Sequence, residues 1–342
     1  MDMPAAIARV LDGEDLTQGE MVEIMRMIMT GEATPAQVGG FLVGLRVKGE
    51  TVDEITAATI VMRELATPVF VDTEGLVDTC GTGGSGSNKF NVSTASAFVA
   101  AASGVRVAKH GNRAASSISG SADVLEEAGA SIMLDPVQVA RCIESIGVGF
   151  LFALNHHSAM KHAIGPRREM VVRTIFNLLG PLTNPAGAKR QLLGVYDARW
   201  VVPVANVLKA LGSKHVMVVH SDDGLDEISI AAPTLVAELK NGEIREYRVE
   251  PGQFDCKQQP IDSLRVENSK ESLELVHQAL QGSNQAAMDM VVLNAGAAIH
   301  VAGKTATLGD GVEMARDAIG NGLAMEKLKD FVDFTRQVAA NG

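Results

Sequence analysis

The chain has 342 residues, a length typical of about two domains with a core that needs no disulfide staples. Hydrophobic residues make up 46% and charged residues 21%, which excludes a largely disordered chain. A net charge of −11 and an aromatic content of 4% disfavour a nucleic-acid partner, although a local basic pocket for a small anion stays compatible with an acidic protein.

Cysteine content and hydropathy indicate the compartment. Cys80, Cys142 and Cys256 lie far apart and form no CxxC pair, which is typical of a reducing environment. The first residues include acids where a signal peptide has a basic region. No apolar run approaches the ~20 residues that cross a bilayer. The sequence therefore predicts a cytoplasmic protein with no membrane partner.

The first 66 or so residues predict a set of helices. Three capping boxes begin them, in which a Thr caps the helix and a Glu or Gln three residues later returns the hydrogen bond: Thr17 with Glu20, Thr34 with Gln37, and Thr51 with Glu54. The first box precedes apolar residues at helical spacing, which favour a helix-packing core or a dimer face over a promiscuous binding face: Met21, Ile24, Met25 and Ile28.

From about residue 75 short apolar runs alternate with helical patterns, which predicts a mostly parallel sheet flanked by helices. The predicted strands are 76–79, 105–108, 131–134, 148–154, 191–196, 216–219, 235–239 and 245–249. Asn241-Gly242 between the last two predicts a hairpin. The fold class is therefore α/β. A small all-α domain (1–72, completed by helices near 158–188) joins a larger α/β domain (73–342).

A glycine-rich loop follows the first predicted strand and precedes a helix. Residues 81–86 formally match G-x-G-x-x-G, but the next strand runs into the basic segment 109–113, where a dinucleotide site requires an acid. Ser87 follows Gly86, which excludes a Walker A loop. Bare backbone N–H groups with Asn91, Ser93 and Thr94 suit a phosphate or diphosphate. A glycine-rich turn that merely caps a helix is the alternative.

A basic, hydroxyl-rich loop follows the second strand. It holds Lys109, His110 and Arg113, and its serines are Ser116, Ser117, Ser119 and Ser121. Adjacent βα loops of a parallel sheet emerge at the same carboxyl edge, so this loop is expected to converge with the glycine loop on one polyanion. A solvated loop is the alternative, and His110 is either a general base or a packing residue.

An acidic run follows the strand at 216–219: Asp222, Asp223, Asp226 and Glu227. Beside a diphosphate, carboxylates at a strand end suit Mg²⁺, which prefers oxygen ligands. The alternative is a solvated turn. The histidines at 156, 157 and 162 have neither H-x₃-H spacing nor a neighbouring Cys, which disfavours zinc there.

Several motifs in order resemble the anthranilate phosphoribosyltransferase family: GTGG, NVSTAS, KHGNRAASS, GVGFLFA, HHSAMKHAIGPRRE, VRTIFNLLGPLTNPAG, GLDEIS and LNAGAA. The resemblance covers nearly the whole chain. It implies transfer of the phosphoribosyl group of 5-phosphoribosyl 1-diphosphate (PRPP) to anthranilate in tryptophan biosynthesis. It also implies two Mg²⁺ ions per subunit, a site in the cleft between the domains and a homodimer formed through the helical domain.

The resemblance also assigns site residues. It implies that PRPP binds Gly81, Gly84, Ser85, Lys89, Asn91, Val92, Ser93, Thr94, Lys109, Ser117 and Ser121. It implies that anthranilate binds Gly81, His110, Asn112 and Arg167, and that metal binds Ser93, Asp226 and Glu227. No general base is assigned.

The glycine loop departs from the family at two positions. The family usually carries Asp where this chain has Ser85, and often a small or neutral residue where it has Lys89.

Two rival functions are a pyrimidine nucleoside phosphorylase and a nucleic-acid-binding relative. Both are disfavoured, the first by the KHGN…SS motif with Arg167 and the second by the net charge of −11.

Overall fold

A computed structural model describes residues 1–84, 86–114 and 118–340. The helices are α1 (Met3–Leu11), α2 (Gln18–Thr30), α3 (Pro35–Lys48), α4 (Val52–Glu64), α5 (Val92–Ala102), α6 (Ser121–Glu127), α7 (Pro136–Ile146), α8 (Ala153–His156), α9 (Lys161–Met170), α10 (Phe176–Leu182), α11 (Val201–Ala210), α12 (Ser269–Leu280), α13 (Gln285–Val301), α14 (Leu308–Gly320) and α15 (Leu323–Ala340). The strands are β1 (Leu76–Gly81), β2 (Arg106–Gly111), β3 (Val148–Phe152), β4 (Arg190–Gly194), β5 (His215–Ser221), β6 (Thr234–Lys240) and β7 (Glu243–Val249).

The seven strands form one sheet in the order β3-β2-β1-β4-β5-β6-β7. The first five are parallel, while β6 and β7 are antiparallel to their neighbours. Asn241 and Gly242 both have positive φ, +54° and +79°, as the tight turn between β6 and β7 requires. The mostly parallel sheet and its hairpin are therefore confirmed.

The three predicted capping boxes are all present at the starts of α2, α3 and α4. The apolar positions after the first box are fully buried, which confirms a packing core for that helix: Met21, Ile24, Met25 and Ile28. None of the helices in the described ranges is long and apolar enough to span a membrane.

Side chains alternate between two cores on the two faces of the sheet. Along β5, Val216 and Val218 belong to the core shared with α1–α4, α9, α10 and α11, whereas Met217 belongs to the core built around α5 and α13. Helix α9 packs against α2 and α3, and α10 packs against α4. Helices α9 and α10 thus lie beside the N-terminal helices. The domain boundaries at 1–72 and 73–342 stay a prediction.

The sequence prediction is wrong for part of its strand assignment. Residues 131–134 form no strand; they are an irregular segment that precedes α7. Ile132 and Leu134 are buried there, so their apolar pattern reflects packing rather than strand pairing. The strand predicted at 148–154 ends at Phe152, because α8 begins at Ala153.

Candidate active site

The glycine loop lies at the point where the sheet changes direction. Strand β1 has β2 on one side and β4 on the other, so the chain leaves β1 at a topological switch point. In open α/β sheets, ligands bind in the crevice outside the carboxyl ends of the strands at such a point. The loop after β1, the loop after β2 and the turn after β5 all open at this edge.

Two glycines make room for Asp226 at this edge. Gly81 and Gly194 are register partners on β1 and β4. A Cβ on Gly194 would lie 1.6 Å from the backbone oxygen of Asp226, and one on Gly81 would lie 2.6 Å from its Oδ2. The backbone of the turn that carries Asp226 can therefore pack here only because Gly194 lacks a side chain, while Gly81 leaves room for the Asp226 carboxylate.

A buried ion-pair cluster joins the glycine loop to the acidic turn. Lys89 Nζ donates to Asp226 Oδ1 at 2.9 Å and lies 3.8 Å from Glu227 Oε2. The Gly83 N–H donates to Asp226 Oδ2 at 2.9 Å. Asp226 and Glu227 are 6% and 9% exposed. The ammonium of Lys89 therefore occupies the position that a bridging cation takes between two carboxylates.

The two carboxylates of this cluster differ in their electrostatics. Burial acts to raise the pKa of Asp226, but the charge of Lys89 and the hydrogen bonds from Lys89 and Gly83 outweigh it and hold that pKa below its usual range. Burial, with a smaller contribution from the charge of Asp226, raises the pKa of Glu227 to about 7. Glu227 Oε2 has no hydrogen-bond partner among the described residues. Glu227 is thus the carboxylate left open to a ligand.

The other two acids of the run have structural roles. Asp222 forms an ion pair with Arg248 at 2.5 Å. Asp223 accepts the hydroxyl of Ser229 at 2.7 Å. The acidic run predicted as one set of metal ligands therefore divides into two carboxylates at the site and two that hold the turn.

Asn91 ties three segments together before α5. Its Oδ1 accepts the hydroxyls of Ser119 at 2.9 Å and Ser272 at 2.7 Å, and its Nδ2 donates to the Ser119 carbonyl at 3.3 Å. Asn91 makes no side-chain cap on α5. The side chain thus joins the glycine and basic loops, as their predicted convergence requires, but these contacts already use both of its polar atoms.

Lys109 is buried beneath the loop. Its Nζ donates to the Thr79 carbonyl at 2.6 Å and to Ser93 Oγ at 3.3 Å. Burial lowers its pKa. Thr94 Oγ1, one position along α5, is buried without a hydrogen-bond partner among the described residues. Val92 is buried as the first residue of α5. This arrangement brings a cation, two hydroxyls and the N-terminus of α5 to one spot.

Two buried histidines lie side by side near the carboxyl end of β2. The rings of His110 and His157 have their centroids 5.1 Å apart. Burial, reinforced by the neighbouring histidines, holds the pKa of His110 well below its usual value, and burial lowers that of His157 to about 4. Each ring hydrogen-bonds a backbone group, and each Nε2 has no partner among the described residues. Both rings are therefore neutral with one nitrogen open.

Arg113, Asn112 and Ser121 of the basic loop make local contacts. Arg113 pairs with Glu126 at 2.8 Å and Asp123 at 3.3 Å instead of meeting the site. Asn112 is exposed and its Oδ1 accepts the Arg113 N–H at 2.8 Å. Ser121, at the start of α6, donates to the Asn112 carbonyl at 3.3 Å. The predicted contribution of Arg113 to the polyanion site is not seen.

Arg167, near the end of α9, is half-buried with its guanidinium 5.1 Å from the centre of the Phe176 ring. Burial lowers its pKa. Over the described ranges no carboxylate lies within ion-pair distance of it. Arg167, which the resemblance assigns to anthranilate, therefore has no carboxylate partner within the described part of the chain.

One contact at the glycine loop was not predicted from the sequence. Arg173 donates to the Gly84 carbonyl and lies 4.4 Å from the centre of the Tyr196 ring, so it joins the segment after α9 to the glycine loop. The one sequence signal for Arg173 was its place in the motif VRTIFNLLGP. Ser85 and Ser117 lie outside the described residues.

Comparison with known proteins identifies the family. A profile described as "Glycosyl transferase family, a/b domain" matches residues 73–325, and "Glycosyl transferase family, helical bundle domain" matches residues 4–66. An anthranilate phosphoribosyltransferase of Marinomonas sp. is 62% identical over 338 residues, covering 98% of both chains. That of Alkalilimnicola ehrlichii is 63% identical, covering 99% of this chain and all of its own. The chain belongs to the anthranilate phosphoribosyltransferase family.

Solved structures agree with this family membership. The anthranilate phosphoribosyltransferase of Thermus thermophilus superposes with a TM-score of 0.91 at 43% identity, covering 97% of this chain and 99% of its own. The Saccharomyces cerevisiae protein, whose structure is described as a complex with PRPP and Mg, has a TM-score of 0.88 at 23% identity and covers 98% of both chains. The second likeness shows the fold alone. The resemblance stated from motifs is confirmed.

Proposed function

We propose that this chain transfers the phosphoribosyl group of PRPP to the amine of anthranilate, releasing pyrophosphate, as a step of tryptophan biosynthesis. One observation carries this function. At a switch point of the sheet, the glycine loop, the buried Lys109 and the Asp226–Glu227 pair converge within a chain that matches full-length relatives at about 60% identity. This is an arrangement for a diphosphate.

Three free cysteines and the lack of a membrane-spanning helix among the described residues support the predicted cytoplasmic location.

The chain's own groups stabilise the departing diphosphate. Negative charge grows on it as its bond to the ribose breaks. Lys109 and the N-terminus of α5 already lie at this edge, so they need little reorganisation. The amine of anthranilate is uncharged at neutral pH, so positioning at the ribose carbon supplies much of the rate. The open Nε2 atoms of His110 and His157 are acceptors suited to orienting that amine.

The donor set fits Mg²⁺ at Glu227. Its open Oε2 and the hydroxyl of Ser93, whose backbone N–H bonds the same carboxylate, are hard oxygen ligands. Bound Mg²⁺ neutralises charge on the diphosphate. Lys89 already neutralises Asp226, so the second of the two ions proposed per subunit requires Lys89 to turn away from Asp226. Once turned away from Asp226, the ammonium of Lys89 would pair with the diphosphate instead.

Arg167 is proposed to bind the anthranilate carboxylate. Replacing it with Leu removes charge-assisted hydrogen bonds, so the KM for anthranilate should rise about 10- to 100-fold. The KM for PRPP should stay within about twofold. Steady-state kinetics with each substrate varied in turn measure both constants. Arg168→Leu, which changes the exposed neighbouring residue, is the matched control. An equal rise in both KM values for Arg167→Leu would contradict this assignment.

The homodimer is proposed to form through the N-terminal helices. Leu11 on α1 with Val43 and Val47 on α3 are 68%, 43% and 81% exposed, and this apolar surface supports such an interface. Val47→Asp places a charge there and should convert a dimer into a monomer of 36.0 kDa in light scattering. The control is Val137→Asp on α7, where Val137 is 69% exposed away from this surface. A dimer that persists in Val47→Asp places the interface elsewhere.

The activity itself is tested by anthranilate fluorescence. Mixing anthranilate with protein, PRPP and Mg²⁺ should cause a fluorescence loss that needs all components together. The same assay with Ser85→Asp at several Mg²⁺ concentrations reports what the serine in the glycine loop does. If fluorescence persists while calorimetry shows PRPP binding, the acceptor is a different amine. If PRPP does not bind, the proposed transferase activity is refuted.

A further inference from the structure

A second cluster of metal-ligand side chains lies at the opposite edge of the sheet. His215 begins β5, Glu238 lies on β6 and His300 is near the end of α13. Asp226 follows the other end of β5, and seven strand residues span roughly 20 Å. This cluster is therefore separate from the site that holds Asp226 and Glu227.

The three side chains converge on one point. Glu238 Oε1 lies 2.7 Å from His215 Nε2 and 3.1 Å from His300 Nε2. One ligand atom from each residue lies within 4.8 Å of the others. The two imidazole rings meet edge to face with centroids 4.9 Å apart. The side chains of the two histidines are 4% and 5% exposed, and that of Glu238 is 16% exposed.

Hydrogen bonding alone requires His300 to be in its cationic form. Its Nδ1 lies 3.3 Å from the Thr305 carbonyl and its Nε2 faces the Glu238 carboxylate, so both partners are acceptors. Both ring nitrogens would have to carry a proton. A metal ion between Nε2 and Oε1 needs only the Nδ1 proton, and a metal-bound histidine characteristically donates its other N–H to a carbonyl.

The surroundings supply the remaining features of a metal centre. Tyr247 donates its hydroxyl to Glu238 Oε2 at 2.9 Å, which fixes the carboxylate that offers Oε1. Both histidines line a cavity of about 580 Å³ together with Arg190, Lys214 and Lys240. Arg190 and Lys214 reach Glu74 at 3.9 Å and 2.7 Å, so part of their charge is already balanced.

We propose that His215, Glu238 and His300 form a binding site for a divalent transition metal of the Zn²⁺ type, with its fourth coordination position open to the basic cavity. Two imidazole nitrogens and one carboxylate oxygen form a donor set that suits Zn²⁺ and disfavours Mg²⁺. The basic residues around the cavity suit an anion or a water molecule as the fourth ligand. Along the sequence His215 and Glu238 are 23 residues apart and Glu238 and His300 are 62 residues apart, which matches no local metal-binding motif, so only the fold brings them together.

The test uses the full-length protein and Co²⁺ alone as a spectroscopic probe, followed by competition with Zn²⁺. We expect one equivalent of Co²⁺ to bind with the intense visible absorption of a tetrahedral site, and Zn²⁺ to displace it. His300→Gln keeps a hydrogen-bonding group toward Glu238 but removes the ligand, and it should weaken binding at least about 100-fold. Tyr247→Phe should weaken it about 10-fold. Crystals soaked in Zn²⁺ should give an anomalous peak at the three ligand atoms.

His277→Gln on α12 is the control that removes a histidine outside the cluster, and it should bind Co²⁺ as the wild type does. Circular dichroism and anthranilate turnover verify that each variant is folded. Equal Co²⁺ binding by folded His300→Gln and wild type would overturn the proposal. A wild type that binds no Co²⁺, or gives only the weak octahedral spectrum, would overturn it as well.

Discussion

The double substitution Asp226→Asn with Glu227→Gln is expected to lower kcat/KM about 100- to 1000-fold. Both changes keep the size of the side chain while removing the two negative charges that surround Lys89 at the proposed diphosphate site. The loss of one preorganised electrostatic group at a reacting centre typically costs this much. Turnover measured across a range of Mg²⁺ concentrations tests the expectation, and kcat/KM within threefold of wild type would refute the metal role.

Stability must be separated from chemistry in that experiment. Neutralising both carboxylates leaves the buried ammonium of Lys89 without its partner, which destabilises a protein by several kcal/mol. Lys89→Met combined with the two substitutions removes that charge and should restore the denaturation midpoint without restoring turnover. Asp222→Asn, an acid of the same run that pairs with Arg248 at the surface, should leave kcat/KM unchanged. Recovery of turnover in the triple variant would assign the loss to unfolding.

Gly194→Ala is expected to have the largest effect on stability among single substitutions at this edge. Its Cβ would lie 1.6 Å from the carbonyl oxygen of Asp226 and 2.4 Å from the carbonyl carbon. Both contacts are with backbone, so no side chain can rotate away and the whole turn must shift. We expect the free energy of unfolding to fall by about 3 kcal/mol or more. Because the turn carries Asp226, turnover should fall as well.

Denaturant unfolding followed by fluorescence and circular dichroism measures this change. Gly19→Ala is the matched control, since a Cβ at that helical position meets nothing within 4 Å and should leave stability equal or slightly higher. A loss of less than about 1 kcal/mol in Gly194→Ala would show that the turn can move away, and would refute the role given to the glycine pair.

Elements defined by neighbours along the chain could be predicted from the sequence. The capping boxes at Thr17, Thr34 and Thr51 join atoms three residues apart, so the pattern is visible in the sequence. The positive φ of Asn241 and Gly242 is likewise a local property. The strand predicted at 131–134 failed because its alternating apolar residues are buried by packing instead of pairing with a strand.

The motifs gave residues that the fold collects at the carboxyl edge of the sheet, but they did not give the partners of those residues. Asn91 belongs to the loop as predicted, yet both its polar atoms are engaged by Ser119 and Ser272. Arg113 was expected to contribute charge to the polyanion site and instead pairs with the acids of α6. A loop's composition states which groups are available, while the packing of the following helix decides where they point.

The sequence by itself determined where helices start, the alternation that makes a parallel sheet, and the family. Each depends on local hydrogen bonds, side-chain periodicity or motif order. Only the tertiary structure decided that Lys89 neutralises Asp226, 137 residues away, and that Glu238 meets His300, 62 residues away. Such pairs have no spacing rule, because the distance between them is set by strand order and helix packing. The electrostatics of both edges of the sheet are for that reason properties of the fold.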